Sequence, residues 1–170
     1  MEIFVKDMEL KKFLRKFPEL SQTLNSMRAR LPDGHSAYLV DYVVMDCVPG
    51  MGTCRDTRWH VDGDPKRDNL YVLRVEGPNR TEFLASPVDL PELPEGREEQ
   101  NRLLEDLLKD RLPLRIPEGE ERVYDSRTPH RGVLCDEHGQ RTFLRLMATN
   151  YIKPKNILKR GGNVPFRPAA

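Results

Sequence analysis

At 170 residues, 38% of them hydrophobic, the chain carries enough apolar side chains for one core and one domain. Its 28 lysines and arginines stand against 27 aspartates and glutamates, so no net field draws it to nucleic acid or an anionic membrane; any partner must be recognised locally. Three cysteines without a Cys-x-x-Cys pair (Cys47, Cys54, Cys135), no signal-like opening and no run near ~18 apolar residues argue against a disulfide scaffold, a zinc knuckle, export and a membrane span, and point to a soluble cytoplasmic protein.

In chain order, the first thirty residues read as helix. Leu10, Phe13, Leu14 and Phe17 recur at three- and four-residue spacing and form one apolar stripe. Pro18 breaks it and opens a second helix with Leu20, Leu24, Met27 and Leu31 on its apolar face, closed by Pro32-Asp33-Gly34. From Ser36 the texture changes to β-branched and aromatic runs punctuated by Gly, Pro, Asn and Asp. Strands are expected at 37–48, 57–63, 69–76, 80–85, 113–116, 121–126, 131–135 and 140–150. One helix, Arg97 to Lys109, interrupts them with Leu103, Leu104, Leu107 and Leu108. The Pro-rich approach to it, 86–97, reads as an inserted arm over the mouth of a barrel, able to close over a ligand. After Pro154 a basic tail with Gly161 and Gly162 is expected to wrap the surface or to be mobile.

The expected architecture is mainly β with flanking helices: one jelly-roll or cupin-like domain over 1–170, with a helical lead-in at 1–35, a barrel at 36–150 and a tail at 151–170. The last strand supports it. Leu144, Leu146 and Ala148 share one face, whereas Arg141, Phe143, Arg145 and Met147 share the other. An apolar outer face under the N-terminal helices and a mixed inner face lining a pocket produce this alternation.

Arg58-Trp59-His60-Val61-Asp62 carries the chemistry, with Thr128-Pro129-His130 far downstream. Residues two apart on a strand share a face and lie roughly 6.6 Å apart along it, so His60 and Asp62 can converge on one ion. His130 from a later strand completes two imidazoles and a carboxylate, a set that suits Fe(II) and leaves three adjacent positions open. Of the other histidines, His35 and His138 sit in turn sequences and are expected to face solvent, and Asp64 before Pro65 reads as a turn former. Trp59 points away from His60 and is expected to pack. An α-keto acid beside the metal would need a cation for its far carboxylate, which the planar fork of Arg141 or Arg145 provides.

These residues resemble the Fe(II)/2-oxoglutarate-dependent dioxygenases. Members carry His-x-Asp/Glu, a distal His, and a basic residue on the final barrel strand roughly ten to fifteen positions later. Here His60, Asp62 and His130 match the metal ligands, and Arg141 and Arg145 follow His130 by eleven and fifteen positions. The resemblance spans residues 37–150. It implies a double-stranded β-helix, Fe(II) as cofactor, 2-oxoglutarate as co-substrate and oxidation of a substrate C–H bond with release of succinate and CO2. The oxoglutarate-binding Tyr or Thr of many members is best matched by Tyr71. Two further readings stay open: a cupin-like metal enzyme that does not use 2-oxoglutarate, and a non-catalytic jelly-roll binding protein. Arg55, Arg58, Lys66, Arg67, Arg127 and Arg131, partly cancelled by Asp56, Asp64 and Asp68, form a mildly basic rim suited to a small or anionic substrate. No aromatic-rich basic strip favours nucleic acid, and the sequence is silent on oligomeric state.

Overall fold

A computed structural model describes residues 1–54 and 57–161. Its core is a pair of antiparallel sheets with a few helices. In chain order the elements are β1 (Ile3–Glu9), α1 (Leu10–Lys16), a 3-10 turn (Pro18–Leu20), α2 (Ser21–Ala29), β2 (Ala37–Cys47), β3 (Leu70–Glu76), β4 (Glu82–Leu84), α3 (Arg97–Leu108), β5 (Pro113–Arg115), β6 (Glu121–Asp125), β7 (His130–Arg131), β8 (Gly139–Thr149) and β9 (Ile157–Arg160). The larger sheet has the order β6-β3-β8-β2-β1-β9 and the smaller one β5-β4-β7. No helix among the described residues is long and apolar enough to cross a membrane.

Two expectations at the ends of the chain are corrected. Residues 3–9 form a strand, not the start of a helix. Ile3, Phe4 and Val5 favour extended backbone and find β2 on one side and β9 on the other, so the helical stripe begins only at Leu10. The tail, in turn, is strand over Ile157–Arg160, paired with β1; residues 162–170, with Gly162, lie outside the described part. A bulge between Val5 and Met8 puts Asp7 at φ 47°, a conformation an aspartate tolerates. The Asp7 carbonyl then accepts from the amides of Lys155 and Asn156 at 3.0 and 3.1 Å, which ties the tail to β1.

Phe13, Phe17, Leu24, Met27 and Leu31 pack with Val40, Val72, Leu144, Leu146 and Ala148, so the N-terminal helices cover the outer face of the large sheet. Each such side chain, fully buried, contributes about 1.5–3 kcal/mol. On the inner face Leu39, Tyr71, Leu73, Val75 and Met147 meet Phe83, Ile116 and Tyr124 between the sheets. The alternation expected along β8 is therefore what the two faces bury. Behind the small sheet, Leu104 and Leu108 of α3 pack on Trp59, Val61 and Leu84.

The strands expected at 57–63 and 131–135 contract. The first is reduced to one bridge, with His60 N donating to His130 O and His130 N to His60 O, both at 3.0 Å. The second becomes β7 plus a bridge from Leu134 to Gly52. Gly63, Pro65 and Pro129 explain the brevity: Gly63 turns at φ 66°, where a Cβ would lie 3.1 Å from the Tyr71 hydroxyl, and proline cannot donate to a ladder. The arm at 86–97 is also corrected. Leu93 is buried against α3 and Trp59, Arg127 holds the carbonyls of Leu90 and Pro91, and the arm contributes no residue to the cavity between the sheets.

Candidate metal centre

The His60–His130 bridge fixes the site. It places the two imidazoles side by side, ring centroids 4.7 Å apart, and Asp62, two residues on, points to the same side. Ligand atoms of His60, Asp62 and His130 lie within 4.8 Å of one another, close enough to share one ion. His60 Nδ1 lies 2.8 Å from the Arg58 carbonyl, and His130 Nδ1 lies 3.1 Å from the Thr128 carbonyl. A carbonyl only accepts, so both Nδ1 atoms carry the proton and both Nε2 atoms turn inward. Burial, reinforced by His130, holds the His60 pKa down at about 4, which leaves that ring neutral near pH 7 with its Nε2 lone pair available. His130 Nε2 faces Asp62 Oδ2 at 3.1 Å. Unless a proton or a metal ion lies between them, two acceptors confront each other there. The donor set, two imidazoles and a carboxylate, fits a divalent transition metal.

Asp62 is held from behind. Burial alone would raise its pKa, but Arg145 and His130 outweigh burial and keep the carboxyl ionised well below its usual range. Oδ2 accepts from Tyr124 Oη at 2.8 Å and from Arg145 Nη1. The second arm of the Arg145 fork, Nη2, reaches Asp41 Oδ2 at 2.5 Å, and Asp41 also accepts from Lys6 Nζ at 2.9 Å and from the Asp7 amide at 2.8 Å. The bulge in β1 is thus connected through Asp41 and Arg145 to the carboxylate of the triad.

Arg141 differs. Only 2% exposed, it donates through Nε to the Asn79 carbonyl at 3.0 Å and through Nη2 to Thr81 Oγ1 at 3.1 Å. No carboxylate among the described residues lies within ion-pair distance of it, and burial lowers its pKa. An unpaired buried guanidinium is costly unless an anion meets it.

Both arginines, the triad and Asp41 line one cavity of about 620 Å³ between the sheets. Strand register orders its floor. Lys6 and Asp41 on β1 and β2 and Arg145 on β8 make a charged row; Phe4, Val43 and Phe143 make an apolar row two residues along; Met45 and Arg141 follow. The cavity runs across the sheet from Arg141 and Arg145 on β8 to Phe4 and Lys6 on β1.

Tyr71 does not line this cavity. It is buried in the core between the sheets, stacked on Tyr124 with centroids 4.9 Å apart, and burial and Asp62 push its pKa up to about 12. The tyrosine that touches the site is its cross-strand partner, Tyr124, whose hydroxyl burial and Asp62 keep protonated. Trp59 faces away from the triad, under the Arg131 guanidinium at 4.5 Å. His138 is exposed and His35 half-buried, both outside the site. Asp64 caps its own turn, accepting from the Lys66 amide at 2.9 Å. The rim charges are largely matched: Arg58 to Glu98, Lys66 to Glu95, Arg67 to Asp64 and Arg131 to Glu82. Arg55 and Asp56 lie outside the described residues.

The sequence reading missed Asp41, Lys6 and Tyr124. Asp41 had a signal: it is the one charge in the otherwise uncharged run Ala37–Met45. Lys6 had none, because no alternation over residues 3–9 marks that segment as a strand.

No protein-family model matches the chain, and no curated protein matches it. Among solved structures the chain is similar to the crystal structure of EvdO2 from Micromonospora carbonacea var. aurantiaca, with 16% identity, a TM-score of 0.49, and coverage of 92% of this chain and 69% of that one.

Proposed function

We propose that the protein is a non-haem Fe(II)- and 2-oxoglutarate-dependent dioxygenase that oxidises a C–H bond of a small organic substrate. The observation that carries this reading is the pairing, in one cavity, of an inward-facing His60–Asp62–His130 set with a buried Arg141 that has no carboxylate among the described residues within ion-pair distance. A metal site alone would fit any cupin-like enzyme. A cation waiting for an anion beside it is what a chelating keto acid requires.

In this reading Nε2 of His60, Nε2 of His130 and the Asp62 carboxylate would hold Fe(II), and Arg141 would take the far carboxylate of 2-oxoglutarate. The bound pair supplies oxidising power from dioxygen, with loss of CO2 and formation of succinate. The chain's own residues orient and exclude. Arg145 and Tyr124 fix the Asp62 carboxylate, the backbone carbonyls of Arg58 and Thr128 fix the two ring tautomers, and Phe4, Val43 and Phe143 give the cavity its apolar row. The strand order β6-β3-β8-β2, facing β5-β4-β7 with His60 bridged to its edge, supports a double-stranded β-helix as the underlying fold. Three free cysteines support a reducing, cytoplasmic setting.

Anaerobic addition of Fe(II) and then 2-oxoglutarate tests the proposal. The expected result is a weak visible charge-transfer band, abolished by His60→Ala and weakened by Arg141→Ala. Iron binding without the band on addition of the keto acid would point to a cupin-like metal enzyme of another kind, and no iron binding to a non-catalytic barrel.

A further inference from the structure

We infer that the substrate of this site is an organic monoanion whose charged group is held by Lys6 and whose apolar body lies over Phe4 and Val43. The inference rests on the oxygenase reading, which assigns the other positions of the cavity. Among the described wall residues, Lys6, Arg141 and Arg145 are cationic and Asp41 and Asp62 anionic, an excess of one positive charge. A dication on the triad and a dicarboxylate on Arg141 cancel each other, so the excess persists in the loaded site. Its place is narrowed by access. Arg141 is buried at the far end, and Arg145 has both arms of its fork on carboxylates. Of the described cations in the wall, Lys6 is the reachable one: its side chain is 38% exposed, it shares Asp41 with Arg145, and an ammonium has two more donors to offer. Asp7, 3.6 Å from Lys6 Nζ, is matched by Lys155 at 3.4 Å and does not line the cavity.

The register sets the shape that fits. Phe4 and Val43 are cross-strand partners, and beside them Lys6 Nζ donates to Asp41 at 2.9 Å, all four lining the same cavity. A ligand seated there meets an apolar surface and, about two residues further along, a cation, with the triad on the β8 side. β1 is therefore the substrate wall, and its tie to β9 fixes that wall in place.

Calorimetric titration of the full chain with 3-phenylpropionate and with its neutral amide tests this, in the metal-free protein and in protein loaded with Mn(II) and 2-oxoglutarate. In the loaded protein the acid is expected to bind about tenfold or more tighter than the amide. Lys6→Met should abolish that preference, and Lys6→Arg should retain it. Equal binding of acid and amide, binding of neither, or a preference that survives Lys6→Met overturns the inference. Failure of the oxygenase reading has a different signature: 2-oxoglutarate does not bind the Mn(II)-loaded protein, and the metal-free protein still selects the acid through Lys6.

Discussion

Arg141 and Arg145 stand four residues apart on one face of β8, with Phe143 between them and its ring 5.5 and 5.9 Å from the two guanidinium carbons. The same residue type on the same face has been given opposite surroundings. Arg145 is engaged by two carboxylates, which outweigh burial and raise its pKa well above the arginine norm. Arg141 has a carbonyl and a hydroxyl, and burial lowers its pKa. The difference teaches that a strand face with two arginines need not be one anion site: one cation can hold the Asp62 and Asp41 carboxylates while the other meets no carboxylate among the described residues.

Three substitutions break or sharpen that contrast. Arg145→Met leaves Asp41 and Asp62 buried without their shared cation, and should cost about 3–5 kcal/mol in urea denaturation of the metal-free protein. A loss below about 1 kcal/mol would show that the fork contributes little and would erase the distinction. Arg141→Met removes a buried charge that no carboxylate among the described residues pairs, so stability should change by no more than about 1 kcal/mol, while 2-oxoglutarate affinity should fall about a hundredfold, equivalent to about 2.7 kcal/mol. Unchanged affinity by calorimetry would place the keto acid elsewhere. Asp41→Asn sharpens the arginine pair from its other partner. Burial would raise the Asp41 pKa, but Arg145 and Lys6 hold it below the usual carboxylate value, so its stabilising effect is full above about pH 4 and is lost as pH falls through the depressed folded value. The wild type should exceed the variant by about 2 kcal/mol at pH 7, a margin that shrinks as the solution is acidified below pH ~4. A constant margin across that range would exclude the ionised Asp41 as its source.

The inner and outer faces of β8 were legible because its alternation is uninterrupted over many residues, and that parity placed Arg141 and Arg145 in one cavity. The clustering of His60, Asp62 and His130 was legible for a different reason: His-x-Asp fixes two groups on one side whether the backbone is a long strand or, as here, a single bridge. What escaped the sequence depended on partners far away in the chain. Ile3–Glu9 is extended because β2 and β9 flank it, and its alternation is broken at Asp7 by the bulge, so no local period announced it. Tyr71 and Tyr124 are opposite one another across β3 and β6, and only the register decides which hydroxyl reaches Asp62. The arm at 86–97 read as a lid because prolines suggest a loop, but Leu93 and the contacts to Arg127 pin it to α3 and the small sheet.

The clasp between β1 and β9 has a consequence for assembly. Glu9 N donates to the Asn156 side chain across 147 positions of sequence, and the Asp7 carbonyl receives two amides from the same late segment. β2 and β8 pair with each other, and β8 with β3, without any residue after 149, whereas the strand carrying Phe4 and Lys6 has only one neighbour until residues 157–160 reach it. In folding, the sheet beside His60, Asp62 and His130 can therefore form while β1 still frays, and the row with Lys6 is held only when β9 docks.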